Sequence, residues 1–323
     1  DHRDLHSFPT RRSSDLDFEI PVINWKGRHE GVPEADVSYL FDQGALHSVL
    51  YGIATGTSVN IVGPHGCGKT ELVSQIAARL NFPVTIIPMD GQLSRRELIG
   101  KEKISATAAG TVSHFVPGIL PRAMMEPGFI LFDEVDRGVS DLQYACHSVY
   151  LQQGLKILED EGRKVPFHQH NRVFATANTK GRGSLDGMYQ ASEEMSEATR
   201  DRWSLWIEMD YNEADEDISI LQNKVPGIGK DMAEYIAKIA ADIRSAYKND
   251  NLEQTISMRQ QLEVAKMTAF LNARQSDQAL RIKGPAHAVE RVICGRASPQ
   301  DQGAIRTFVE ARIPQAYQGD PLF

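Results

Sequence analysis

Gly63-Pro-His-Gly-Cys-Gly-Lys-Thr70 decides the fold. Its spacing is that of the phosphate loop, GxxxxGK(S/T), which requires a strand before it and a helix after it. Ser58-Val-Asn-Ile-Val62 reads as a buried strand, and Glu71 to Leu80 places Leu72, Val73, Ile76, Ala77 and Leu80 on one helical face. Glycines let successive backbone N–H groups turn inward around phosphate oxygens, and the following helix adds its positive N-terminal end. Lys69 spans the β- and γ-phosphates, and the Thr70 hydroxyl is a ligand for Mg²⁺. The nucleotide-binding run is therefore Gly63, Pro64, His65, Gly66, Cys67, Gly68, Lys69, Thr70 and Glu71. Cys67 has two readings: a thiol activated by the positive field of the loop, or a variable position that uses only its backbone. The plainer second one is preferred.

Further strands follow outward from the loop. Pro83 to Met89, Phe129 to Phe132, Val173 to Ala177 and Ser204 to Met209 are short apolar runs separated by helical patterns, the signature of an α/β layered domain. Being apolar on both faces, they read as strands covered by helices on each side. Beyond Tyr211 the pattern changes: Ala214 to Asn223, Lys230 to Lys248 and Met258 to Ala273 read as helices with no convincing strand.

The strand Phe129-Ile-Leu-Phe132 ends in Asp133-Glu134. A nucleotide site needs one carboxylate for the metal and another to orient or deprotonate the attacking water; Asp133 suits the first role and Glu134 the second. Asp136 reads as a solvated or helix-capping acid rather than a third catalytic one. Asn178 ends the next strand, where its amide suits either the γ-phosphate and attacking water or simply a turn.

Composition bounds the rest. The 323 residues carry 35 Lys plus Arg against 43 Asp plus Glu, a net charge of −8, with 41% hydrophobic residues. These proportions exclude wholesale disorder, collagen-like repeats and a disulfide scaffold. Cys67, Cys146 and Cys294 include no CxxC pair, which fits a reducing, cytoplasmic location and no structural zinc. No apolar run approaches the ~20 residues needed to cross a bilayer. Arg95-Arg96 and Arg163-Lys164 are too little basic charge for a nucleic-acid stripe in the α/β region. His168-Gln-His170 reads as a turn rather than half of a metal site. Trp203 and Trp206 read as core anchors, while Tyr39 and Phe41 suit core packing or an adenine face equally. Residues 1–16, Asp1-His-Arg-Asp-Leu through Ser-Ser-Asp-Leu16, resemble the translation of a sequencing adapter and are expected to be an assembly artefact rather than a native basic arm.

The phosphate loop, Phe132-Asp-Glu134 and Ala175-Thr-Ala-Asn178 together resemble the AAA+ ATPases. More narrowly they resemble the MoxR clade and its cobaltochelatase CobS-type members. That closer likeness rests on Val32-Pro-Glu34, Tyr39-Leu-Phe-Asp42, Ser94 to Lys101, Phe115 to Pro121 and Asn171 to Asn178, extended by Asp201-Arg-Trp203 and Ser257-Met-Arg259.

The resemblance implies an α/β three-layer core with a parallel sheet over residues 32–210, after a linker at 17–31. A helical lid follows at 211–300 and a tail at 301–323. It implies Mg²⁺-dependent ATP hydrolysis in a hexameric ring, with ATP bound between neighbouring subunits. Asn178 then matches the first sensor, Arg202 the arginine finger reaching a neighbour's γ-phosphate, and Arg259 the second sensor; the plain alternative for both arginines is a surface ion pair. The stretch from Lys101 to Pro121 matches inserted hairpins that contact partners or substrate, although the Thr, Ala and Gly of Ala106 to Thr111 also fit an ordinary flexible loop. A partner bearing a von Willebrand A-type domain, or a chelatase subunit, is implied.

The sequence departs from the CobS pattern at Pro64 and Cys67 in the loop and at Val135-Asp-Arg137 after the acids, which sets cobalt chelation apart from the ATPase. Two other classes remain in view: a nucleic-acid motor using the same ATP site, and a slow nucleotide-gated assembly module. Glu134 and Arg202 argue against the second.

Overall fold

A computed structural model describes residues 5–7, 20–25, 27, 29–107, 110–180, 195–273 and 278–312. The chain divides into two compact units: Asp1–Asp36, Phe41–Pro64 and Lys69–Met209 in the first, and Val37–Leu40, His65–Gly68 and Asp210–Phe323 in the second.

The first unit is built on five strands: β1 (Val59–Val62), β2 (Val84–Pro88), β3 (Phe129–Asp133), β4 (Arg172–Ala177) and β5 (Leu205–Glu208). They form one parallel sheet in the order β5-β1-β4-β3-β2. Parallel neighbours require crossovers, and helix α2 (Lys69–Leu80) carries the chain from β1 to β2. Successive side chains go to opposite faces. Phe129 and Leu131 join Val59, Ile61 and Phe174 in a core with α1 (Gln43–Thr55) and α2, whereas Ile130 and Phe132 join Val62, Ile87 and Val173 in a second core with α3 (Ser140–Tyr150). Burial on both faces is why these runs read as continuously apolar. Each fully buried side chain of this size stabilises by ~1.5–3 kcal/mol. A surface pair such as Arg95–Glu159, both about one-third exposed, contributes ~0–1 kcal/mol. The two cores therefore dominate the stability.

A hairpin of Gly100–Thr107 and Gly110–Pro117 lies between β2 and β3 in the chain of the first unit. Trp203 is buried against Phe132 and Tyr150, but the Trp206 residue is 37% exposed, with its indole N–H donating to the Trp203 carbonyl. Of the two tryptophans, Trp203 alone is a core anchor. Part of the expected linker at 17–31 is also structured. Pro21–Ile23 pairs antiparallel with the backbone of Leu5–Ser7, Ile23 is 1% exposed, and Asn81 donates to its carbonyl at 2.7 Å. The rest of residues 1–16 lies outside the described residues.

The second unit contains α4 (Ala214–Lys224), α5 (Lys230–Lys248), α6 (Met258–Ala273), α7 (Gln278–Val292) and α8 (Pro299–Ala311). Leu221, Ile236, Ile243, Val264 and Val289 build its core. The expected boundary at residue 300 falls inside α8. The Ser298 hydroxyl caps this helix by accepting from the Asp301 N–H, and Ile305 and Val309 are fully buried in the same core. The helical unit therefore runs at least to Ala311. Inside it, Arg244 and Asp217 form a buried ion pair at 2.6 Å, and the Arg244 guanidinium lies 4.5 Å from the Tyr211 ring.

Candidate active site

The site lies at the carboxyl ends of β1, β3 and β4, the end of a parallel sheet where ligands bind. Gly63 leaves β1 and donates to the Ala177 carbonyl at 3.2 Å, tying the root of the loop to β4. Gly66 and Gly68 have φ of +79° and +100°, which only glycine adopts readily. Within the second unit, the loop tip is held by the Tyr211 hydroxyl, which donates to the His65 carbonyl at 3.1 Å. Burial pushes the Tyr211 phenol up to about 12, so it remains a donor at neutral pH.

Lys69 opens α2 and is 8% exposed. Its ammonium donates to the carbonyls of Gly63 at 2.7 Å and Pro64 at 3.0 Å, and to the Asn178 amide oxygen at 3.0 Å. The donor is already charged and these acceptors are neutral, so an anionic phosphate oxygen adds the attraction between opposite charges to the same hydrogen bonds. Thr70 donates to Asp133 Oδ1 at 2.8 Å. A hydroxyl and a carboxylate at this separation are hard oxygen donors of the kind Mg²⁺ takes alongside phosphate and water, so the residues present fit that ion. Glu71 turns outward and accepts from the Gln75 amide at 2.9 Å.

Glu134 follows Asp133 in a left-handed conformation, φ 53° and ψ 47°, which costs on the order of 1–3 kcal/mol for a residue with a side chain. Its surroundings impose that conformation. The Glu134 N–H donates to the Thr176 hydroxyl at 2.9 Å, and Gln143 donates to the carbonyls of Val135 and Gly138. The Glu134 carboxylate accepts from Arg137 at 2.7 Å, and this partner raises the Arg137 pKa.

Two residues were not legible as parts of this site. Thr176 donates to Asp133 Oδ1 at 2.6 Å while receiving the Glu134 N–H. Asp136 is neither solvated nor a helix cap, contrary to expectation. It is 0% exposed, and its Oδ2 accepts from Asn178 N, Thr179 N and the Thr179 hydroxyl, each at 3.0 Å. The pattern of an acid two residues after the Asp133-Glu134 pair was the available signal; its donors lie some forty residues away.

Arg202 is positioned elsewhere in the first unit. Its carbonyl accepts from the Ser58 hydroxyl at 3.1 Å, and Leu205 pairs with Val59, so it sits at the amino end of β1. The phosphate loop leaves the opposite end of that strand. Its guanidinium donates to the Ala198 carbonyl and, after burial, is the second cause lowering the His147 pKa. Arg259 is exposed on the first turn of α6 in the second unit. His168 and His170 share a turn with ring centroids 5.5 Å apart, and among the described residues no group of three or more His, Cys, Asp or Glu is arranged as a metal site.

Comparisons with known proteins bear on the family and the fold. The AAA domain (dynein-related subfamily) matches residues 58–203. The aerobic cobaltochelatase subunit CobS of a Sinorhizobium species is 33% identical over 249 residues, covering 76% of this chain and 74% of that protein. Protein NorQ of Paracoccus denitrificans is 24% identical, covering 76% of this chain and 86% of its own length. Among solved structures, a mutant of Thermotoga maritima RuvB aligns with a TM-score of 0.51 at 14% identity, covering 80% of this chain and 73% of that one, which supports the fold alone. No described helix is long and apolar enough to cross a membrane. With a phosphate loop, two acids and a polar strand end gathered on a five-stranded parallel sheet, the chain belongs to the MoxR-type AAA+ ATPases.

Proposed function

We propose that this ATPase requires Mg²⁺, works as a closed hexameric ring, and spends its turnover on remodelling a partner protein. One observation carries the catalytic part: Lys69 meets Asn178, and Thr70 meets Asp133, in a single cluster around the loop. Lys69 would bind the β- and γ-phosphates and Asn178 would orient the γ-phosphate or the attacking water. Glu134 would take the proton from that water. Thr70 and Asp133 would hold Mg²⁺, which when bound supplies positive charge against the phosphate oxygens.

Arg202 is the arginine finger of this reading, reaching the γ-phosphate of a neighbouring subunit. Its position at the amino end of β1, a strand's length from its own loop, supports action in trans. Arg259 is the second sensor, supported by its exposed place at the start of α6. A cytoplasmic location is supported by three free thiols. The partner is a chelatase or von Willebrand A-type subunit, a reading supported by the chelatase in the name of the Sinorhizobium relative.

The test uses purified chain with and without a chelator, and the variants Lys69→Ala, Glu134→Gln and Arg202→Ala. Lys69→Ala abolishes ATP binding. Glu134→Gln binds ATP but turns over roughly 10²-fold or more slowly. Mixing Arg202→Ala with Lys69→Ala restores part of the activity that each lacks alone. Full turnover in Glu134→Gln overturns the water-activating role, and no rescue on mixing overturns action in trans. ATPase stimulated by DNA, rather than by the candidate partner, overturns the remodelling reading.

A further inference from the structure

Asp136 is a fully buried carboxylate to which the reaction gives no direct task. Burying an ionised group is costly unless donors surround it. Here three donors do so, and all belong to two consecutive residues, Asn178 and Thr179. Asn178 is the residue whose amide oxygen touches the Lys69 ammonium at 3.0 Å. Two residues earlier, Thr176 reaches the other way, accepting from Glu134 N and donating to Asp133. The turn after β3 and the end of β4 are thus joined in both directions, by a threonine from β4 and an aspartate from the turn.

We infer that Asp136 is a positioning residue for ATP hydrolysis: by gripping the 178–179 backbone it fixes the Asn178 amide in line with Lys69 and in register with Glu134. A carboxylate suits this task because its oxygen accepts several N–H and O–H donors at once, and charge-assisted bonds are the stronger kind. A neutral amide at 136 would keep one accepting oxygen, lose the charge, and bring an N–H₂ group that has no use among donors. The inference rests on the role proposed above for Asn178.

The experiment is a double-mutant cycle on kcat, with nucleotide affinity measured in parallel using a fluorescent ATP analogue. Asp136→Asn lowers kcat roughly tenfold, the size typical of lost outer-shell support, and changes the analogue's Kd less than about twofold. In an Asn178→Ala background the same substitution has no further effect on kcat. Thr179→Val, which removes one donor and keeps the carboxylate, lowers kcat less and is silent in the same background. This variant carries the test if Asp136→Asn does not fold. An unchanged kcat in Asp136→Asn, or losses that multiply fully with that of Asn178→Ala, overturns the inference. An unchanged kcat in Asn178→Ala alone overturns instead the role assigned to Asn178.

Discussion

Thr176 and Asp133 share a hydrogen bond of 2.6 Å, and the same threonine oxygen receives the N–H of Glu134 at 2.9 Å. One hydroxyl on β4 thus sets both acids at the end of β3. Asp133 Oδ1 also receives Thr70, so a single carboxylate oxygen is aligned from a strand end and from the first turn of α2. Thr176→Val keeps the shape and removes the hydroxyl. It leaves the Glu134 N–H without its acceptor in a left-handed turn, and an unsatisfied buried group costs about 1–3 kcal/mol. The expected result is a lowered melting temperature together with a weaker response of ATPase rate to Mg²⁺, read from melts and from metal titrations of turnover.

The two loop glycines are not equivalent. A Cβ at Gly66 would stand 2.3 Å from Ser257 Cβ and 3.0 Å from its Cα, whereas at Gly68 nothing lies within 4 Å. Gly68→Ala therefore carries only the left-handed backbone cost, roughly 1–2 kcal/mol. Gly66→Ala adds a collision that side-chain rotation cannot relieve. Gly66→Ala is expected to lose more ATP affinity and more thermal stability than Gly68→Ala. Equal effects in nucleotide titration and melting would contradict the contact with Ser257.

Two arginine pairs of similar length should behave differently. Arg244–Asp217 is 2.6 Å long with side chains 7% and 1% exposed, and Gln261 also donates to that carboxylate. Removing Arg244 leaves a buried charge uncompensated, so Arg244→Ala should destabilise by about 3–5 kcal/mol. Arg137–Glu134 is 2.7 Å long but 42% and 31% exposed, and solvent screening leaves it ~0–1 kcal/mol. Chemical denaturation of Arg244→Ala and Arg137→Ala measures the contrast directly.

Alkaline pH should loosen the second unit through Tyr211. Burial raises its phenol to about 12, so the native state holds the proton more tightly than the unfolded chain does. The resulting stability is complete below pH about 10, the unfolded value, and is lost as pH climbs from there toward about 12. Other buried phenols act in the same direction, so the readout is the difference between wild type and Tyr211→Phe. The two stability curves should converge across that interval.

Much of the fold was legible because it depends on local pattern. The five strands read as apolar runs because both faces are covered, and Lys230–Lys248 read as a helix because its apolar stripe recurs at helical spacing. The loop and acid pair were legible because their chemistry dictates residue types at fixed spacing. What escaped depends on partners far along the chain. Asp136 looked like a solvent-facing acid because the donors that bury it arrive with β4, and the structured segment at Pro21–Ile23 is held by Asn81. Trp206 looked like core, yet β5 is an edge strand and leaves it half outside. Helix α8 was obscured by its Pro- and Gly-containing flanks, although Pro299 sits at a helix start where its missing N–H does no harm.

The left-handed turn at Glu134 also governs how variants at that position are to be interpreted. A β-branched replacement there fails on main-chain geometry before the missing carboxylate is ever felt, so a dead enzyme would be ambiguous. Glutamine, with the same branching and length, isolates the lost charge, while glycine would relax the kink and remove the acid together. Ranking such replacements by steric tolerance rather than polarity separates a damaged scaffold from the loss of the carboxylate itself.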